Sequence, residues 1–144
     1  MVFQGEYEHS LDDKGRVIVP SKFRSLLGER FYLCKGFNSC LCLYPENKFL
    51  EMCETLTSQP ALSEFAMLLQ RRMLASFEVG VDSQGRVAIP QKLRKFANIA
   101  DQSNVALIGV ADRIEIWNSE AWEAYDEDLT DDKVREAARQ VGMA

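Results

Sequence analysis

The hydrophobic positions of this chain alternate over short segments and then change to a helical spacing, and this succession of patterns occurs twice. In the first half, the alternation over residues 7–11 predicts a strand, and Val17 and Val19 predict a short second strand. Pro20 ends that strand and opens a helix. The apolar stripe of the helix is formed by Phe23, Leu26 and Leu27, and Gly28 is its predicted stop.

A hairpin and a closing helix complete each copy of the pattern. FYLC and LCLY flank a turn around residues 36–38, and VALI and IEIW flank another around residues 109–112. Cys40 and Cys42 share a hairpin face whose equivalent in the second copy carries Arg113 and Glu115. Because a charged pair favours a solvent-exposed face or an interface, we expect the equivalent face of the first hairpin, with Cys40 and Cys42, to lie outside the deep core.

Two further helices are predicted outside these copies. Pro60 opens the segment PALSEFAMLLQRRML, in which Leu62, Phe65, Leu69 and Met73 form a helical stripe. The tail TDDKVREAARQVGMA has acidic residues at the favoured end of a last helix and only a thin apolar stripe. The predicted organisation is α+β and mainly β, with a first repeat over 3–56, a connecting helix over 57–72, a second repeat over 73–129 and a C-terminal helix or tail over 130–144.

The same nine-residue motif occurs in both repeats, as DDKGRVIVP at 12–20 and as DSQGRVAIP at 82–90. In each D-x-x-G segment the Asp carboxylate can accept backbone N–H groups two or three residues later, while Gly tolerates a positive φ. We therefore predict two tight turns, formed by Asp12 and Gly15 and by Asp82 and Gly85.

Net charge alone argues against a nucleic-acid partner, but its distribution argues for one. The formal charge is −5. However, ten acidic residues lie from position 112 onward, whereas residues 12–35 carry six Lys/Arg against three Asp/Glu and residues 82–95 carry four against one. Both copies of the motif are therefore locally basic.

Arginine follows each predicted turn, and more cations begin each following helix. The planar fork of Arg16 and Arg86 matches phosphate or the O6/N7 edge of guanine. Cations in the first helical turn oppose the helix dipole, which points to an anionic partner outside. The candidate DNA-binding residues are Lys14, Arg16, Lys22, Arg24, Arg86, Lys92 and Arg94. The alternative is a purely structural turn in which each Arg pairs with the preceding Asp, and duplication would copy that turn too.

Other chemistry is sparse in the sequence. The single histidine, His9, lies on a predicted strand, and neither a nucleophile elbow nor a phosphate-binding glycine motif occurs, so we predict no enzyme, no cofactor and no small-molecule ligand. The four cysteines, spaced C-x5-C-x-C-x10-C, match no common zinc pattern, so we expect reduced thiols and no metal. No apolar run suits a membrane span and the first residues are unlike a signal peptide, which predicts a cytoplasmic protein.

Two D-x-x-G-R-V-x-[VI]-P elements, each followed by K-[FL]-R, resemble the MraZ family of bacterial transcription regulators over essentially the whole chain, down to the closing WNSEAW. Each copy is similar to the swapped-hairpin domain of AbrB-like DNA-binding proteins. The resemblance implies that the two repeats interleave into one pseudo-twofold, β-barrel-like unit, and that subunits form a homo-oligomeric ring.

The resemblance also implies a function. Family members bind double-stranded DNA at short G-rich direct repeats in promoters, usually repress their own division and cell-wall gene cluster, and associate with the nucleoid. The contact segments of the family correspond here to Asp12, Gly15 and Arg16 and to Asp82, Gly85 and Arg86, and Gln84 stands where the first repeat has Lys14, so the two contact surfaces are expected to be unequal. A competing function is an oligomeric protein-interaction scaffold without DNA readout.

Overall fold

The strands and helices predicted from each copy of the pattern occur in the computed structural model, which describes residues 2–143. The first half contains β1 (Phe3–Ser10), β2 (Arg16–Ile18), α1 (Ser21–Leu27), β3 (Phe31–Lys35), β4 (Leu41–Pro45) and α2 (Glu46–Thr57). The second half, after α3 (Glu64–Leu74), contains β5 (Phe77–Val79), β6 (Arg86–Ala88), α4 (Gln91–Phe96), β7 (Asn104–Ala111), β8 (Arg113–Asn118), α5 (Ser119–Asp128) and α6 (Asp131–Gln140). The predicted tail, 130–144, extends one residue beyond the described part of the chain, and the proposed repeat boundaries stay a prediction.

The two halves exchange their first strands. Six strands form a sheet in the order β1-β7-β8-β4-β3-β5, so β1 of the first half pairs with β7 of the second, and β5 of the second pairs with β3 of the first. The short strands β2 and β6 pair with each other as a separate two-stranded ribbon. The α+β, two-repeat fold is thus confirmed, with the interleaving that the family resemblance implies. The six-stranded sheet is open, however, rather than closed into a barrel.

The main core lies between the six-stranded sheet, the ribbon and the helices α1 and α4. Phe23 of α1 is completely buried and meets the rings of Phe3 and Tyr7 edge to face, at centroid distances of 5.9 and 5.2 Å. Val17 and Val87, opposite each other on the ribbon, are also fully buried. Because both halves contribute to this one core, neither half has a core of its own.

A second apolar cluster covers another part of the sheet, and the prediction for two cysteines is wrong there. Cys40 and Cys42 are buried together with Tyr44, Met73 and Trp117. The charged pair at the equivalent positions of the second hairpin suggested an exposed face. In the first hairpin, however, that face is covered, because α2 and α3 pack on each other and on strands β3 and β4. Burial raises the pKa of the neighbouring Cys34 thiol to about 12, so this thiol is neutral at physiological pH.

The connecting helix begins later than predicted and shows a different face. The Ser63 hydroxyl accepts a hydrogen bond from the amide of Ala66, at 3.2 Å, and so caps α3 three residues after Pro60. Ala66 and Met73 form its buried side, whereas Leu62 and Phe65 are 90% and 83% exposed, contrary to the predicted stripe. Among residues 2–143, no helix has both the length and the apolar character needed to cross a membrane.

Candidate nucleic-acid interface

The β2–β6 ribbon presents two arginines on its outer face. Along each strand of a ribbon, side chains alternate between the two sides. Val17 and Val87 point into the core, so the residues on either side of them point outward: Arg16 opposite Ala88, and Ile18 opposite Arg86. The ribbon therefore carries one arginine at each end of its exposed face, related by the pseudo-twofold axis that relates the two repeats.

The first predicted turn is held by Asp12. Its Oδ1 accepts hydrogen bonds from the amides of Lys14 and Arg16, at 2.9 and 2.8 Å, and the Gly15 amide donates to the Asp12 carbonyl at 3.1 Å. Its Oδ2 accepts a hydrogen bond from Nε of Arg16 at 2.7 Å. One carboxylate thus fixes both the turn and the arginine that follows it.

The second turn repeats this arrangement. Oδ1 of Asp82 accepts from the amides of Gln84 and Arg86, both at 2.9 Å, and Oδ2 accepts from Nε of Arg86 at 2.9 Å. Nη1 of Arg86 also lies 3.8 Å from Oδ2 of Asp12, which links the two turns. The backbone N–H of the following arginine, followed by the other donors, holds the pKa of each aspartate below its ordinary value of 3.8.

The structural alternative considered for D-x-x-G-R is therefore present, because each arginine pairs with its own aspartate. The side chains of Arg16 and Arg86 are only 27% and 23% exposed. A guanidinium has five N–H donors, and the hydrogen bond to Oδ2 uses only the one on Nε. The pairing thus restricts each fork to one orientation while the four Nη–H donors stay outside that bond, which lowers the entropy cost of binding an anion.

Arg24 and Arg94 occupy a place that the sequence did not suggest, because each packs on the turn of the opposite repeat. A Cβ on residue 15 would lie 2.7 Å from Cζ of Arg94, and a Cβ on residue 85 would lie 2.5 Å from Nη1 of Arg24. Gly15 and Gly85 also have φ near +76° and +77°. Glycine is therefore required twice over, by backbone conformation and by the arginine that covers it.

The two covering arginines differ in their partners. Arg94 donates from Nε to the carbonyl of Ile89 and from Nη1 to Asp101, both at 2.9 Å. Nε of Arg24 is buried without a hydrogen-bond partner among the residues described, and no ion pair with an acid within the described part of the chain neutralises it. The charge of Arg94 is thus neutralised by Asp101, whereas the charge of Arg24 has no acidic partner among the described residues.

The remaining predicted cations surround the ribbon. Lys22 and Lys92 are exposed in the first turns of α1 and α4, and Lys14 is exposed in the first tight turn. Gln84 replaces Lys14 in the second turn. Ser83 likewise replaces the exposed Asp13, so the two turns differ in side chains but not in net charge, and the unequal contact surfaces expected from the sequence stay a prediction.

Sequence reasoning missed two residues at this surface. Ile18 is 45% exposed on the outer face of the ribbon, opposite Arg86 at one end of it. The alternation of Arg16, Val17 and Ile18 is the signal that would have placed it outward. Asp101, which neutralises Arg94, lies in the loop after α4, seven residues further along the chain, and no local pattern marks it.

Comparison with known proteins identifies the family of this chain. The family described as "MraZ protein, putative antitoxin-like" matches twice, over residues 2–72 and 73–142. Proteins named "Transcriptional regulator MraZ" are similar over nearly the full length. The one from Acetivibrio thermocellus is 41% identical over 145 residues, which cover 99% of this chain and all of that protein. The one from Clostridium tetani is also 41% identical, over 144 residues.

A third relative of the same name, from Finegoldia magna, is 44% identical over 128 residues, which cover 88% of each chain. The double match and the near-complete coverage account for both repeats and for the connection between them. This chain therefore belongs to the MraZ family.

Proposed function

We propose that this protein is a cytoplasmic DNA-binding transcription regulator that reads double-stranded DNA with the outer face of its β2–β6 ribbon. The prediction that it is not an enzyme follows from its family. The observation that carries the proposal is the pair of aspartate-held arginines, Arg16 and Arg86, at the two ends of one exposed ribbon. A two-stranded ribbon fits the major groove of B-DNA, where the fork of arginine matches the O6 and N7 atoms of guanine.

The flanking cations support the same reading. Lys22 and Lys92 begin the helices on either side of the ribbon, and Arg24 keeps an unpaired charge beside the second turn. In this proposal these side chains would contact phosphates, which set the register of a protein on DNA, and the ribbon residues would contact base edges. The relatives named as transcriptional regulators support a promoter as the target.

The finer proposal concerns assembly and target. Only a few cations per subunit face the DNA, so affinity at physiological salt is weak for one subunit. A homo-oligomeric ring that displays the ribbon repeatedly would bind neighbouring short G-rich direct repeats by avidity. We propose that such repeats upstream of its own gene cluster are the target, that binding there represses the cluster, and that the protein is nucleoid-associated.

Exposed apolar side chains on α3 and in the turn just before it supply a surface for that assembly. Leu62, Phe65 and Leu68 recur at three-residue intervals, and each is more than half exposed. The adjacent α2–α3 groove is apolar as well, lined by residues that include Met52, Leu56, Leu69 and Met73. Because soluble monomers seldom expose such a contiguous patch, we propose that a second copy of the chain covers it in the ring.

The test is binding to DNA from upstream of the gene for this protein, by footprinting and by fluorescence anisotropy at fixed salt. Arg16→Ala and Arg86→Ala should each weaken binding about 5- to 150-fold, the equivalent of one bidentate contact to guanine. Far-UV circular dichroism and oligomer size should stay unchanged, because Asp12 and Asp82 still hold their turns through backbone amides.

The matched control removes one arginine outside the ribbon. Arg135 lies on α6, where its side chain is 60% exposed and pairs with Asp132. Arg135→Ala should leave binding within about twofold of the parent protein, since a surface ion pair contributes little. If the ribbon variants bind as well as Arg135→Ala does, the ribbon is not the reading surface. If the parent protein instead prefers an acidic-peptide matrix to duplex DNA, it is a protein-interaction scaffold.

A further inference from the structure

A cluster of two thiols and a carboxylate lies outside the ribbon, at the seam where the two halves of the large sheet meet. Cys42 on β4 is opposite Glu115 on β8, and Cys40 is two residues before Cys42. The two Sγ atoms and one carboxylate oxygen all lie within 4.8 Å of one another. Both cysteines are buried, and the Glu115 side chain is only 16% exposed.

The sequence concealed this cluster because its members come from both repeats. The cysteine spacing alone matches no common metal-binding motif, and Glu115 lies more than 70 residues away along the chain. The β4–β8 pairing, which follows from the arrangement of the two halves, is what brings the carboxylate to the thiols. The candidate site is therefore a property of the assembled fold.

Gly36 leaves the space that the two sulfur atoms occupy. A Cβ on residue 36 would lie 2.6 Å from Sγ of Cys42 and 3.0 Å from Sγ of Cys40. The Gly36 amide donates to the Cys40 carbonyl at 2.7 Å, and its own carbonyl accepts from Nη2 of Arg72 at 3.2 Å. Both sulfur atoms thus converge over a backbone position that is fixed on both sides.

The carboxylate is also held in place. Oε2 of Glu115 accepts from Nη2 of Arg113 at 2.9 Å, and Oε1 accepts from Nε1 of Trp117 at 3.1 Å. Outer hydrogen bonds of this kind orient the ligands of metal sites. With both thiols ionised, the cysteines and Glu115 carry three negative charges and Arg113 one positive charge, so a divalent cation would neutralise the group.

We propose that Cys40, Cys42 and Glu115 bind a thiophilic divalent cation such as Zn²⁺. Zinc–sulfur and zinc–oxygen bonds of about 2.3 and 2.1 Å place neighbouring ligands roughly 3.5 Å apart, so the ligand atoms, which lie within 4.8 Å of one another, need to approach by at most about 1.3 Å. Two thiol protons pass to solvent as the ion binds. The bound ion would join β4 of the first half to β8 of the second.

The test uses the full chain, purified under reducing conditions, stripped of metal and then titrated with Zn²⁺ or Co²⁺ alone. We expect about one ion per chain after gel filtration, and for Co²⁺ the intense visible bands and thiolate-to-metal charge transfer of a tetrahedral site. At a 100-fold excess of Zn²⁺ over Kd, the Tm should rise by roughly 5–10 °C. Cys40→Ser and Cys42→Ser should each weaken Zn²⁺ binding more than about 100-fold, since losing a ligand exceeds the effect of losing a ligand's hydrogen-bond partner.

Cys53→Ser is the matched control, because Cys53 is a half-buried cysteine on α2 outside the cluster, and this variant should keep both the ion and the cobalt spectrum. Glu115→Gln should keep the fold but weaken Zn²⁺ binding and alter the cobalt spectrum. The proposal is overturned if the parent protein binds no ion, or if the Cys40 and Cys42 variants bind as much as the parent does. It is equally overturned if air oxidation removes two hydrogens per chain and Zn²⁺ does not prevent it, since the cysteines would then be a disulfide pair.

Discussion

The packing of Arg94 on the opposite turn predicts a measurable coupling between that arginine and Gly15. Gly15→Ala places a side chain at a left-handed backbone position, which costs about 1–2 kcal/mol. The new Cβ also meets Cζ of Arg94 at 2.7 Å, so the guanidinium has to move. Moving it breaks the hydrogen bond to the Ile89 carbonyl, worth about 1.5–3 kcal/mol for a charged donor, while the half-exposed pair with Asp101 adds little.

The expected total for Gly15→Ala is therefore roughly 2.5–5 kcal/mol. In an Arg94→Ala background only the backbone cost remains, so the double variant should be more stable than the sum of the single effects by about 1.5–3 kcal/mol. The assay is urea unfolding followed by circular dichroism and tryptophan fluorescence, at one protein concentration because self-association shifts apparent stability. Effects that add to within about 0.5 kcal/mol would refute the packing argument.

The chain contains its own comparison for this cycle. Gly85 has the same backbone conformation and is covered by Arg24, but Nε of Arg24 has no hydrogen-bond partner within residues 2–143. Moving Arg24 therefore breaks no hydrogen bond at Nε. We expect the coupling between Gly85→Ala and Arg24→Ala to be smaller than that between Gly15→Ala and Arg94→Ala by about 1.5 kcal/mol or more. Equal couplings would show that the hydrogen bond to Ile89 has no part in the effect.

Four further outcomes are expected. Phe23→Ala should cost about 3–5 kcal/mol in urea unfolding, because the ring is fully buried; a cost below 1 kcal/mol would contradict the core described above. Asp82 has a lowered pKa, so its carboxylate stabilises the fold fully above pH 3.8, and this stabilisation is lost as pH falls through the lowered pKa. The free energy of unfolding of Asp82→Asn should therefore fall less with decreasing pH in this acid range than that of the parent protein. Identical pH profiles for the two proteins would contradict a stabilising role of the Asp82 carboxylate. Phe65→Glu should yield smaller assemblies in sedimentation and weaker binding to several adjacent DNA repeats but not to one, whereas an unchanged assembly would exclude α3 as the interface. Ile18→Ala should weaken DNA binding by about 1 kcal/mol with stability unchanged, because an exposed apolar side chain can contact the methyl group of thymine. If the variant binds every thymine-containing site as tightly as the parent protein does, Ile18 does not contact the DNA.

Local sequence patterns predicted most of the elements because those elements depend on near neighbours. The turn at Asp12 is determined within five residues by its own carboxylate and by Gly15. The ribbon strands follow from the alternation that buries Val17 and Val87. In these elements the residues that contact each other are also close in sequence, so local sequence patterns are sufficient to predict them.

Predictions went wrong or fell short where the contact partner comes from the other repeat or from a helix distant in sequence. That Arg24 contacts DNA stays a prediction, but nothing nearby in sequence indicates the turn at Gly85 on which this arginine packs. Cys42 was expected to lie outside the deep core because the packing of α2 and α3 cannot be predicted from an alternating strand. Phe65 looked like a core residue because helical spacing alone does not say which stripe is buried when Ser63 resets the start of the helix.

The exchange of strands between halves has a consequence for how the protein is made. Tyr7 pairs with Leu107, so β1 cannot find its partner until a hundred further residues have left the ribosome. At about 5–20 residues per second, β1 and its apolar side chains stay without their partner strand for on the order of 5–20 s. During that interval β1 can pair with β7 of a neighbouring chain, so translation of one messenger by closely spaced ribosomes would favour strand-swapped dimers. A chaperone that holds the nascent chain would raise the yield of correctly folded subunits.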